Sequence, residues 1–203
     1  MMKLRNSLLL MTLLTAPAAV AGTVQLDFSE LGTASPVDAN GLSIDGVTFH
    51  FAGGSAQYNA VIGLSGMTSL VSEPLLVGDT TGTLTLDFLV PTPFLDFDIV
   101  MASADPISGA YTVTLPGNSP LSENTAPIVA FSEGAFSYNG PPITSAVITF
   151  SNDAAQFGLD NLTFDPAPEP GTGTLFGGLL VAFAIFGKFF AGKYRCLHAR
   201  AQK

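Results

Sequence analysis

The chain has 203 residues, of which 47% are apolar and only 11% charged, with 21 Gly and 14 Pro. That is enough for one domain of ordinary size plus tails, and it excludes a multi-domain machine. The charges are segregated: all seven basic residues lie at the ends (Lys3, Arg5, Lys188, Lys193, Arg195, Arg200, Lys203), and all 16 carboxylates fall between Asp27 and Glu169. An acidic middle with no Lys or Arg cannot neutralise phosphates, so nucleic acid is excluded as a partner.

At the start, Lys3 and Arg5 precede an apolar run at 8–14, then Pro17 and the small triplet Ala19-Val20-Ala21. That order predicts a secretory signal peptide over 1–21, with Ala19 and Ala21 marking the signal peptidase cut. The run is too short to cross a hydrocarbon layer about 30 Å thick.

From 22 to 165 short alternating apolar runs are separated by Gly, Pro, Asn and Asp clusters, the pattern of strands and turns. Strands are predicted at 23–28, 47–51, 83–90, 94–101, 110–115, 128–131, 146–150 and 157–164, with a weaker pair at 68–71 and 75–77. In 83–90, Leu84, Leu86, Phe88 and Val90 share one face and Thr85 and Asp87 the other, so one face is core and the other faces water. The expected fold class is all-β, an antiparallel β-sandwich of the jelly-roll kind. The last strand breaks phase: Phe157 and Leu159 alternate in one register, Leu162 and Phe164 in the other. A bulge at Asp160-Asn161 explains the slip.

Candidate chemistry in this body is sparse. Asp96 and Asp98 stand two apart on a strand, with Cα atoms about 6.6 Å apart on one face. That resembles the spacing of a glycosidase acid and base. It equally describes a solvated strand face behind a core of Leu95, Phe97 and Ile99. His50, the one histidine of the body, is expected opposite Phe49 and Phe51, and a His/Cys metal cluster is impossible with that inventory. No nucleophile elbow, phosphate-cradling or dinucleotide motif is present, and no catalytic residue is assigned. Saccharide platforms use exposed aromatics, and without Trp the stand-ins are Tyr58 and Tyr138, both placed in polar, Gly-rich loops, whereas Tyr111 reads as core.

Beyond the body, Pro166, Pro168 and Pro170 define an extended linker over 166–174. Residues 175–192 carry one charge, Lys188, and as a helix would reach about 27 Å, enough for a transmembrane span. The basic tail 193–203 holds this end on the cytoplasmic side. Cys196, the only cysteine, sits in that tail, so the body has no disulfide.

Pro168-Glu169-Pro170, a small-residue stretch, a span and a basic tail together resemble the PEP-CTERM sorting signal recognised by exosortases. The resemblance covers 168–203. It implies a temporary membrane anchor, cut near that tripeptide by a membrane cysteine protease, and release of the body to the surface of an exopolysaccharide-producing bacterium. The segment AAQFGLDNLTFDP (154–166) resembles the closing strand that precedes this signal and, more loosely, that of calcium-containing carbohydrate-binding jelly rolls. The latter likeness implies a calcium ion held by Asp160 with Asp27 or Glu30. Hard carboxylate oxygens suit that ion, and Asp160 and Asn161 equally suit a bulge or turn. The expected function is a noncatalytic exported surface or extracellular-matrix protein. The alternatives are a calcium-stabilised carbohydrate-binding module and a carboxylate-dependent polysaccharide hydrolase.

Overall fold

The computed structural model describes residues 22–32, 35–64, 68–128 and 130–166. The predicted signal peptide, PEP motif, span and tail lie outside the described residues, as does most of the linker. Among the described residues no helix is long and apolar enough to cross a membrane.

Among the described residues twelve strands follow one another: β1 (Val24–Leu26), β2 (Val37–Asp38), β3 (Ser43–Ile44), β4 (Val47–Ala52), β5 (Ala56–Ala60), β6 (Leu75–Asp79), β7 (Thr83–Met101), β8 (Tyr111–Thr114), β9 (Leu121–Glu123), β10 (Ala126–Pro127), β11 (Ser132–Phe150) and β12 (Gln156–Phe164). Every pairing between them is antiparallel.

Two strands of 19 residues each, β7 and β11, organise the fold. The first part of β7 pairs with β4 on one side and with the second part of β11 on the other, and that part of β11 continues to β8 and β9. The second part of β7 lies between β12 and the first part of β11, and β12 leads on through β6 and β5 to β2. The β7–β11 register shifts between Asn139 and Ile143 and again before Ser145. Pro91, Pro93, Pro141 and Pro142 stand at this crossing, where a proline that cannot donate to the ladder is tolerated. Buried Thr92 ties the crossing to the end of β12: its hydroxyl is shared between the carbonyls of Phe94 (2.6 Å) and Asp165 (2.7 Å). The strands expected separately at 83–90 and 94–101 are thus one bent strand.

The two layers bury a common core. Ring pairs bridge them: Phe51 with Phe157 at 6.0 Å, Phe88 with Phe164 at 5.1 Å and Phe97 with Tyr111 at 6.1 Å. Leu84, Leu86 and Phe88 point inward as their alternation requires, and so do Leu95, Phe97 and Ile99. The bulge in β12 is present: its register with β7 shifts between Asp160 and Thr163, and Asn161 has φ 53°. Phe157, Leu159, Leu162 and Phe164 consequently all reach the core.

On the outer side of β6, β7 and β12 a smaller apolar cluster forms from Ala60, Leu64, Val71, Leu75, Val77 and Val100, with Ile62 and Phe131 packed against it. The described residues between β5 and β6, 61–64 and 68–74, cover this face. The weak strand expected at 68–71 is part of that covering strap, and of the strand expected at 128–131 the described residues Ile128, Ala130 and Phe131 lie in no strand.

Candidate functional site

The acidic residues singled out on the central strands do share one face, and the strap lies over it. Asp98 on β7 faces Asp160 on β12 in register. Asp160 is fully buried; its Oδ2 accepts hydrogen bonds from the Ser72 amide (2.7 Å) and hydroxyl (3.3 Å), and its Oδ1 accepts one from the Asn161 amide (2.7 Å). Asn161 donates its amide hydrogens to Asp98 Oδ2 and to the Leu70 carbonyl, both at 2.9 Å. Glu133 on β11 accepts from the amides of Ser69 (3.0 Å) and Leu70 (3.1 Å) and from the Ser69 hydroxyl. Glu73 Oε1 gathers the amides of Ile62 (2.6 Å), Gly63 (2.6 Å) and Leu64 (3.1 Å) within the strap itself.

Environment separates these carboxyls. Burial pushes Asp98 above the usual carboxylate range, partly offset by Asn161 and reinforced by the charges of Asp96 and Glu133. Burial likewise raises Asp160, against the bonds from Ser72 and Asn161 and with a further push from Asp98. Glu133 also feels burial, but the bonds from Ser69 and Leu70 outweigh it and hold the group below its ordinary value. The solvated face expected at Asp96 and Asp98 is thus partly covered. Chemically, three of these carboxylates act as acceptors that clamp backbone amides and hydroxyls, a structural use.

The set expected for calcium is not assembled. Asp27 accepts from the Ser29 hydroxyl (2.6 Å) and amide (3.0 Å), bonds that lower its carboxyl. Glu30 Oε1 accepts from the Asp27 amide at 2.7 Å, and Oε2 accepts from the Tyr58 hydroxyl. Asp160 is committed to the strap. Among the described residues no three His, Cys, Asp or Glu side chains are grouped so as to hold a metal ion.

Neither tyrosine occupies the loop expected for it. Tyr58 lies on β5, fully buried, with its ring edge-on to Phe28 at 5.0 Å and Phe49 at 5.8 Å. Burial first, and the bond and charge of Glu30 next, raise its phenol well above the ordinary value. Tyr138 lies on β11, half-buried, and donates to the Pro141 carbonyl at 2.7 Å. Tyr111 is core, as expected. His50 is exposed opposite Phe49 and Phe51, 3.4 Å from Asp87.

A cleft of about 280 Å³ lies elsewhere, lined by Asp38, Asn40, Phe51, Gly54, Ser55, Ala56 and Gln57. Pairing of β2 with β5 sets Asp38 opposite Gln57. Asp38 Oδ1 accepts from the Asn40 amide (2.9 Å), and Asn40 Oδ1 from the Phe51 amide (3.1 Å), so the turn after β2 is locked onto β4. Asp79 Oδ2, on β6, receives the Ser55 amide (2.9 Å) and hydroxyl (3.1 Å). A Cβ at Gly54 would stand 2.9 Å from Asp79 Oδ2 and 3.3 Å from the Phe51 ring, so a side chain there would crowd both. The Gln57 side-chain amide and Asn40 Nδ2 make no hydrogen bond among the described residues. The Asp-Ala-Asn-Gly and Gly-Gly-Ser clusters flanking β4 are turn signals, but their convergence depends on the short β2–β5 pairing, which no alternation announces.

No protein-family model matches the chain, and no curated protein matches it. Among solved structures, a family 29 carbohydrate-binding module from Piromyces equi is similar at 10% identity and TM-score 0.39, covering 72% of this chain and 91% of that one. A xylan-binding domain of family 22 gives 12% identity and TM-score 0.38 over 75% of this chain and 98% of its own. A family 35 carbohydrate-binding module from Clostridium thermocellum gives 10% and 0.35, over 64% and 98%. At these values the likenesses assign neither a family nor a ligand.

Proposed function

We propose that this chain is an exported, noncatalytic protein of the bacterial cell surface or extracellular matrix, its body a jelly-roll-like β-sandwich sorted through a PEP-CTERM signal. In this reading signal peptidase cuts after Ala21. Residues 175–192 anchor the chain temporarily, and an exosortase cuts near Pro168-Glu169-Pro170.

The observation that carries the proposal is the segregation of charge, with every basic residue at a terminus and all 16 carboxylates between them. The commitment of Asp160 and Glu133 to the strap, and of Asp98 to the Asn161 side chain, supports a noncatalytic role, because carboxylates already engaged by protein donors are poorly placed to pass protons to a substrate. Calcium has no part in the reading, since Asp27, Glu30 and Asp160 are engaged by separate protein donors. The test is a fusion placed after residue 165 of a reporter enzyme that is active only outside the cytoplasm. Activity that depends on residues 1–21 is expected, and an inactive reporter refutes export.

A second reading, a carbohydrate-binding module, is favoured by the polar cleft between the turns around 38–40 and 53–55. It is compatible with the first, since a matrix protein with a sugar site would be held among exported polysaccharides.

A further inference from the structure

We propose that this cleft is a binding site for a single neutral sugar ring at the end or edge of a glycan chain. The inference deepens the carbohydrate-binding reading and rests on it.

Size comes first: about 280 Å³ lies just below the range of roughly 300–1,000 Å³ typical for drug-sized ligands. One hexose ring with its substituents is the scale that fits, and a stacked run of several rings is too large.

Hydrogen-bonding capacity points the same way. Adjacent sugar hydroxyls both donate and accept, so they need both kinds of partner in a small space. The Gln57 amide offers a carbonyl and an NH2 group, Asn40 Nδ2 offers donors, and Asp38 Oδ2 offers an acceptor. The Asp38 and Asn40 side chains are already fixed by their Oδ1 atoms to the Asn40 and Phe51 amides, so little rotamer freedom is lost on binding. Ser55 is spent on Asp79.

A small apolar contact is provided by Phe51, which lines the cleft and is 7% exposed. A C–H edge of a pyranose suits that small aromatic area.

Charge selects the class of sugar. Asp38 lines the cleft, Asp79 lies behind Ser55, and no Lys or Arg occurs between Arg5 and Lys188. Uronic acids and sulfated or phosphorylated sugars would therefore meet repulsion with no compensating cation.

The test uses the full chain, purified in detergent, on a glycan array carrying neutral and uronate-containing oligosaccharides, followed by calorimetric titration with the best neutral oligosaccharide. Wild type should bind neutral glycans and not uronate-containing ones. Gln57→Ala should weaken binding about tenfold, as expected for a lost direct hydrogen bond. Because Gln57 is exposed, that variant should keep its thermal midpoint within about 2 °C. Gln57→Lys should gain binding to uronate-containing glycans by supplying the missing cation. Neutral binding preserved within about twofold in both variants would overturn the site and leave the carbohydrate-binding reading standing. No glycan binding by wild type would overturn both, and a wild-type preference for uronates would overturn the neutral class.

Discussion

The buried hydroxyl of Tyr58 donates its hydrogen bond to Oε2 of Glu30, 28 residues earlier in the chain. The other oxygen of Glu30 receives the Asp27 amide at 2.7 Å, so one carboxylate staples the turn after β1 to strand β5. Two side chains that invite a ligand when read in sequence satisfy each other in the fold. Tyr58→Phe keeps the ring against Phe28 and Phe49 and removes only the bond, so the unfolding free energy should fall by about 1–2 kcal/mol. Glu30 is exposed, which keeps the loss toward the lower figure. Urea denaturation decides it, and an unchanged midpoint would show the bond to be worthless.

Glu133 should govern the mobility of the strap. Its carboxylate takes the amides of Ser69 and Leu70, and Glu133→Ala should lower hydrogen-exchange protection at those two amides by about 10- to 100-fold. Its folded-state carboxyl lies below the ordinary value. The contribution is therefore complete above the unfolded-state pKa and disappears as pH falls through the lower folded-state one. Protection factors at Ser69 and Leu70 in the wild type should fall on acidification, and those of Glu133→Ala should change little.

Asp98 and Asp160 act in the opposite sense. Both carboxyls are raised, by burial first, so the folded state holds protons that the unfolded chain has already released. Their effect on stability is most favourable below the ordinary value of 3.8 and declines as pH rises through the raised ones. Asp98→Asn keeps an oxygen for the Asn161 amide while removing one charge. It should raise the thermal midpoint at pH 7 by about 3 °C and leave it unchanged at pH 3. A gain of equal size at both pH values would contradict the electrostatic cause.

Gly78 on β6 is required for lack of space. A Cβ there would lie 2.6 Å from Cε1 and 2.8 Å from Cζ of Phe157. The Phe157 ring is fully buried and stacked on Phe150 at 3.8 Å, so it cannot move aside. Gly78→Ala should cost about 1–3 kcal/mol, measured as a shift in the urea midpoint with no change in slope. A neutral substitution would mean that β6 and β12 pack more loosely than described.

Alternation made the inward faces of β4, β7 and β12 legible, because a residue pattern of period two has one reading when one face is core. The phase slip at Asp160-Asn161 located the bulge to the residue. Prolines misled at 91 and 93: they mark a bend between layers, and the ladder continues through it. β5 was illegible because Gln57 and Asn59 flank Tyr58 and make a short buried strand look like a loop. The strap and the cleft were hidden for a different reason. Both depend on which carboxylate meets which amide over long stretches of chain, as when Ser72 meets Asp160 88 residues away, and no local pattern encodes that meeting.

The central claim, export of the acidic body between retained basic ends, is tested most directly by intact-mass and terminal-peptide mass spectrometry of the protein recovered from the bacterial cell surface. The account predicts a chain beginning at Gly22 and ending near Pro168-Glu169-Pro170, without residues 193–203. Recovery of the protein only from the cytoplasm, with Met1 and the basic tail both in place, would contradict it.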